Sequence, residues 1–194
     1  MTCIAGVVHK NSVYLGCDSI GSDGDCQIAR QDSKIFRLQG RPDVLLAFAG
    51  SFRAGQLLNY CNLIPPKMVI NHKNLVTKII PKIISVFEKG GVLKADEGGE
   101  KRGDQFLLAH QNKLFEIDCD FQVGESRCGY QAIGSGYAYA LGSLFTTREL
   151  SVPPQERIYM ALKSASVFGV GIGPPFRVWK TGSKQEWAYE DGPS

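Results

Sequence analysis

The chain has 194 residues, 43% of them hydrophobic and 21% charged, with a formal net charge of +3. That is enough chain for one domain over residues 1–194 with a sizeable core. The charge is too small, and stripes of Lys and Arg with interleaved aromatics too lacking, to argue for nucleic acid. No apolar run is long enough to span a bilayer, and no basic segment followed by an apolar one opens the chain. The expected location is therefore cytoplasmic, with no membrane partner.

The opening MTCIAGVVHKNSVYLGCDS places an apolar run directly behind one methionine. Residues 2–8 and 13–18 are predicted as a hairpin turning at Lys10 and Asn11, with Thr2 as the first strand residue. That register sets Gly6 opposite Leu15, Cys3 opposite Asp18 and Thr2 opposite Ser19. IGSDGDCQ, residues 20–27, is expected to be a loop. Residues 34–38 and 44–48 are predicted as a second hairpin around QGRPD. Gly50 then permits a sharp turn into a helix over SFRAGQLLNYC. NLVTKIIPKIISVFEK carries a broad apolar stripe at helical period, with Pro81 kinking the helix or marking its effective start.

Residues 90–104 are polar and glycine-rich and are expected to form an exposed excursion. QFLLAH and KLFEID read as a hairpin across Gln111 and Asn112, followed by a small strand near Phe121. QAIGSG leads into a helix over YAYALGSLF, in which Tyr137 and Tyr139 read as packing residues. Ser151, Pro153 and Pro154 introduce another helix running to about Phe168. FGVGIGPPFRVWKT supplies a glycine-rich turn and an edge-compatible strand. Strands and helices in this order suggest antiparallel sheets covered by helices. The six cysteines lack metal-site spacing and read as structural or incidental thiols. The three histidines are too dispersed to nominate a metal site, and no P-loop is present.

A threonine at a chain terminus can serve as both nucleophile and base, its hydroxyl attacking a carbonyl while its α-amine takes the proton. That amine has a reference pKa of about 7.7–8.0 and so is partly neutral near neutral pH. Thr2 would acquire it on removal of Met1. Lys34 is placed to reach Thr2 and stabilise its deprotonated hydroxyl, and Asp18 to orient Lys34. The same two residues also suit an ordinary salt bridge at a rim, and the residues alone leave that open.

The opening strand, GCDSIG, the lysine of DSKIFRL, the AFAGS turn and IGSG together resemble the proteasome β-subunit and HslV-like family of N-terminal-nucleophile hydrolases. The resemblance runs almost end to end and is most specific over residues 2–51. It implies an α+β fold, a four-layer αββα sandwich of two antiparallel sheets between helical layers. It also implies a threonine-type peptidase with Thr2 as nucleophile and Asp18 and Lys34 completing the site. The oxyanion-hole glycine falls on Gly50 or immediately beside it in AFAGS, the serine near the terminal amine on Ser135, with Gly136 beside it as a supporting residue. An aspartate that the family commonly has after the penultimate helix is absent: Ser166 stands nearest and is expected to hydrogen-bond with Ser135 or the Thr2 amine. The implied partners are polypeptide substrates, further copies of the chain in a ring, and a separate ATP-dependent unfoldase. No cofactor or metal is expected, and ATP would belong to the partner, since the chain has no ATP-binding motif of its own. A small-molecule amidase with the same chemistry and a catalytically silent structural subunit are the alternatives.

Overall fold

The computed structural model describes residues 1–22, 25–95 and 98–190. The opening hairpin has the expected register: β1 (Ile4–His9) pairs antiparallel with β2 (Ser12–Cys17), Gly6 opposite Leu15. Regular pairing starts at Ile4 rather than Thr2. Cys3 stays tied to its partner, because the Asp18 N–H donates to the Cys3 carbonyl at 3.2 Å. Part of the expected loop is a two-stranded ribbon, β3 (Ile20–Ser22) with β4 (Gln27–Ala29), whose short, polar strands carry no readable alternation. The centre of that loop, residues 23 and 24, lies outside the described residues.

β5 (Ile35–Leu38) and β6 (Arg41–Ala49) form the second hairpin, but its turn is Gln39 and Gly40 rather than QGRPD. Pro42 lies inside β6 because the register shifts there, between the Leu38–Arg41 and Arg37–Leu45 pairs, where no ladder bond needs its missing N–H. α1 (Phe52–Asn59) is capped by the Ser51 hydroxyl, which accepts from the Arg53 N–H. α2 (His72–Asn74) runs through a π-helical stretch, Leu75–Ile79, into α3 (Ile80–Gly90). Ile80 donates five residues back to Leu75 immediately before Pro81, so the ladder widens where proline removes a donor. The excursion after α3 contains a small ribbon, β7 (Lys94–Ala95) with β8 (Lys101–Arg102), and residues 96 and 97 lie outside the described residues.

β9 (Gln105–His110) and β10 (Lys113–Ile117) form the third hairpin. The strand expected near Phe121 is instead β11 (Val123–Glu125), and Phe121 is a turn residue at φ +68°. β12 (Tyr130–Ile133) leads to α4 (Tyr137–Thr146), and α5 (Pro154–Phe168) follows. β13 (Phe176–Lys180) is not an edge strand: it lies between β2 and a strand that sequence patterning did not reveal, β14 (Glu186–Tyr189).

Two five-stranded antiparallel sheets result, ordered β12-β1-β2-β13-β14 and β11-β10-β9-β6-β5. Alternation along β6 builds the layers. Val44, Leu46 and Phe48 turn to the first helical layer and pack with Leu58, Ile83 and Phe87. Leu45, Ala47 and Ala49 turn the other way and meet Ile4, Leu15 and Ile133 of the facing sheet. On the far side, Ala5, Val7 and Val178 pack under Ala140, Leu144, Ile158 and Leu162 of α4 and α5. The chain is therefore a four-layer αββα sandwich. Each wholly buried Leu, Ile or Phe of these layers stabilises it by about 1.5–3 kcal/mol. That rigidity fixes the strand ends, where the polar residues gather.

Candidate active site

Thr2, Asp18 and Lys34 meet at one end of the sandwich. Thr2 precedes β1, Asp18 follows β2 and Lys34 precedes β5, so the two hairpins of the first fifty residues bring them together. Lys34 Nζ donates to Thr2 Oγ1 at 3.0 Å and to Asp18 Oδ1 at 2.8 Å. Asp18 also accepts from the Cys3 N–H at 3.0 Å and the Ile20 N–H at 3.1 Å. The side chains of Lys34 and Asp18 are 1% and 0% exposed, so this is a buried pair and not the rim salt bridge left open by the residues alone. Burial raises the Asp18 carboxyl above the usual carboxylate range, while the Lys34 ammonium and the two amides oppose that shift.

The loop after β12 wraps the backbone of Thr2. Thr2 N–H donates to Ser135 Oγ at 3.2 Å, and the Thr2 carbonyl accepts from Ser135 Oγ at 3.3 Å and the Gly136 N–H at 3.2 Å. Gly134 adopts φ +86°, and a Cβ there would collide with the Thr2 carbonyl. Only glycine meets both demands. Gly50, at φ +138°, ends β6 and faces the Asp104 carboxylate, which accepts from the Ser51 N–H at 3.0 Å. Burial raises the Asp104 carboxyl, and the Ser51 amide and Lys94 oppose the rise. Gly50, Ser135, Gly134 and Gln105 line a cleft of about 420 Å³ with Met1, Thr2, Ala49 and Tyr137. Tyr137 is thus a cleft residue, half exposed, rather than the packing residue expected.

Met1 covers Thr2. Its carbonyl accepts from Thr2 Oγ1 at 2.7 Å and Lys34 Nζ at 3.3 Å, and its ammonium donates to Ser22 Oγ at 2.8 Å. With Met1 attached, the Thr2 nitrogen is an amide with no basic lone pair, and the hydroxyl proton is already engaged. Burial pushes the neighbouring thiols up, Cys3 strongly and Cys17 to about 11, so neither is readily a thiolate.

Ser166 is not brought into this network. Its hydroxyl donates to the Lys163 carbonyl within α5 at 2.8 Å, and no hydrogen bond joins it to Ser135 or Thr2 among the described residues. A serine near a helix end readily satisfies itself on its own turn, which corrects the expected partnership. Sequence reasoning in turn missed Gln105, whose side chain bridges the Gly134 N–H at 3.1 Å and Asp118 Oδ1 at 3.0 Å. It passed for the first residue of a strand, and only the approach of the turn after β12 gives it a role. No group of three or more His, Cys, Asp or Glu side chains among the described residues is placed to hold a metal ion. Among the described residues, no helix is long and apolar enough to cross a membrane.

No protein-family model matches the chain. It is similar to the proteasome subunit beta 1 of Thermococcus kodakarensis strain KOD1, 24% identical over 166 residues that cover 84% of this chain and 78% of that protein. The solved structure of Thiobacillus denitrificans BPH matches with a TM-score of 0.80 at 19% identity, over 95% of this chain and 100% of that one. Eukaryotic HslV from Trypanosoma brucei matches with a TM-score of 0.66 at 18% identity, over 92% and 98% of the two chains. The chain is thus similar in sequence to proteasome β subunits and shares its fold with Thiobacillus denitrificans BPH and with HslV.

Proposed function

We propose that the protein is a threonine-type peptidase subunit in which removal of Met1 frees Thr2 as the nucleophile. The observation that carries this reading is the 3.0 Å contact from Lys34 Nζ to Thr2 Oγ1 inside a buried Lys34–Asp18 pair. An ammonium so placed stabilises an alkoxide but has no lone pair with which to take a proton. The base is therefore the Thr2 nitrogen, which becomes an amine once Met1 is gone.

In the reaction the amine takes the proton from Oγ1, directly or through one water, as Oγ1 attacks the scissile carbonyl carbon. The Gly50 amide serves the developing oxyanion, and Lys34 remains charged beside Oγ1. Collapse breaks the C–N bond, and the ammonium of Thr2 returns a proton to the leaving amine. Water then hydrolyses the ester on Thr2. Ser135 and Gly136 hold the Thr2 backbone in place through both steps. Asp18 keeps Lys34 aimed at the hydroxyl.

The substrate is polypeptide and the working form a ring of this chain, which the likeness to proteasome β subunits and HslV supports. A separate ATP-dependent unfoldase would supply extended substrate. Intact mass tests the first step, with loss of one methionine expected. Thr2→Ala, correctly processed, should lower hydrolysis of a fluorogenic peptide roughly 10⁴-fold or more while leaving the fold intact. Hydrolysis by that variant at the parent rate would overturn the assignment.

A further inference from the structure

The Thr2 backbone is held by the Gly134–Ser135–Gly136 turn, and that turn needs its own support. Gly134 sits in a left-handed conformation pressed against the Thr2 carbonyl, so a small rotation there would displace the Ser135 hydroxyl from the Thr2 nitrogen. Among the described residues, one side chain of the other sheet hydrogen-bonds to the turn. Gln105, the first residue of β9, accepts the Gly134 N–H on Oε1 at 3.1 Å and donates from Nε2 to Asp118 Oδ1 at 3.0 Å. Chemistry dictates this orientation of the amide. Gly134 N–H can only donate and an ionised Asp118 can only accept, so a flipped carboxamide would lose both bonds. Asp118 is fixed in turn by the Cys119 N–H at 2.7 Å.

A second pair lies alongside. Gln131 of β12 donates to Glu116 of β10 at 2.6 Å, so it too bonds to the facing sheet, as Gln105 does through the Gly134 N–H. Of the two glutamines, Gln105 alone lines the cleft with Thr2 and Ser135.

We propose that Gln105, oriented by Asp118, is a positioning residue that locks the Gly134–Ser135 turn against the Thr2 nitrogen. This rests on the reading of Thr2 as nucleophile and extends it to the opposite sheet. Gln105 takes no proton and forms no bond in the reaction. It acts by holding Ser135, and through it the amine, in one geometry. Misplacement of a reacting group by about an ångström can cost on the order of 10²-fold in rate.

Gln105→Met keeps the shape and removes both hydrogen bonds. The expected result is a fall in kcat of about tenfold or more, with KM within about twofold, and faster hydrogen exchange at the Gly134 amide. Asp118→Ala should act in the same direction, because it removes the acceptor that orients the Gln105 amide. Asp118→Asn is the conservative control: its Oδ1 still accepts from Gln105 Nε2 and the Cys119 N–H, so kcat should stay within about twofold of the parent.

A Gln105→Met protein of parental melting temperature that turns over within about twofold of the parent would overturn the proposal. Unchanged exchange at Gly134 would also overturn it, whatever happens to kcat. Should Gln105→Met fail to fold, Asp118→Ala decides by the same readouts. If the parent shows no Thr2-dependent hydrolysis, the peptidase reading fails by itself, and exchange at Gly134 in parent and variant still decides the role of Gln105.

Discussion

Lys34 is a cation held by one carboxylate, one hydroxyl and one carbonyl, with its side chain 1% exposed. Lys34→Met keeps most of its volume and leaves Asp18 buried with two amide donors and no counter-charge. Breaking a buried pair this way costs about 3–5 kcal/mol, so urea unfolding should show a loss of that size together with loss of turnover. A loss under about 1 kcal/mol would contradict the buried pairing. The cost should also depend on pH. Burial already raises the Asp18 carboxyl, and Lys34 is the largest influence opposing it. Without Lys34 the folded pKa climbs further above the unfolded value of about 3.9. An acid whose folded pKa is raised holds its proton more tightly when folded. Its penalty is therefore absent below the unfolded pKa and grows as pH rises toward the folded one. The stability gap between Lys34→Met and the parent should thus shrink as pH falls toward 4, and a gap that widens on acidification would refute the argument.

Among the strands and turns, the cleft is built from strand ends joined by glycine turns, and two glycines separate conformation from contact. Gly91 closes α3 at φ +65° with nothing within 4 Å of where a Cβ would sit, whereas a Cβ on Gly134, at φ +86°, would strike the Thr2 carbonyl. Gly91→Ala should cost only the backbone penalty, about 1 kcal/mol, and leave turnover unchanged. Gly134→Ala should cost ~2 kcal/mol or more, because overlap adds to the same penalty. It should also lose activity, since Ser135 moves with the turn. Equal effects of the two substitutions on thermal unfolding and on turnover would show that the turn is not packed on Thr2. The opposite wall has its own brace, in that Asp104 holds the Ser51 N–H beside Gly50. Residues 104 and 105 thus support both sides of the cleft from the start of one strand.

The folded subunit leaves apolar surface on the outer side of α4 and α5. Phe168 and Val170 are 67% and 69% exposed, and Phe145, Tyr139 and Val167 are also exposed. Tyr139 and Phe168 pack their rings together at 5.8 Å, which gives this face a fixed shape. Exposed apolar side chains of this kind suit a contact with another protein, and in the ring reading the partner is a second copy of the chain. Sedimentation at micromolar concentration should give a mass several times the 21.2 kDa of one chain. Phe168→Asp with Val170→Asp should shift it toward smaller species without unfolding the subunit. A parent protein that sediments only as monomer would remove the ring from the proposed function.

The first hairpin, its register, and with it the meeting of Thr2 and Asp18 were legible in the residues alone, because a short turn leaves two strands few ways to pair. The helices over 80–90, 137–146 and 154–168 were legible for a similar reason, their apolar period or proline start being local properties. Lys34 was within reach of the same reasoning, lying just beyond the loop that follows Asp18. Other features follow from three-dimensional packing. Gln105 and Gly134 are 29 residues apart, one opening a strand of one sheet and the other following a strand of the facing sheet, so no spacing along the chain records their bond. The same is true of Asp104 behind Gly50 and of the interior position of β13, which depends on β14 arriving at its far side. Ser166 shows the converse, for matching position in a sequence suggested a partner that its own helix supplied instead. A hydroxyl bonds to the carbonyl within its reach, and the local fold settles which one that is.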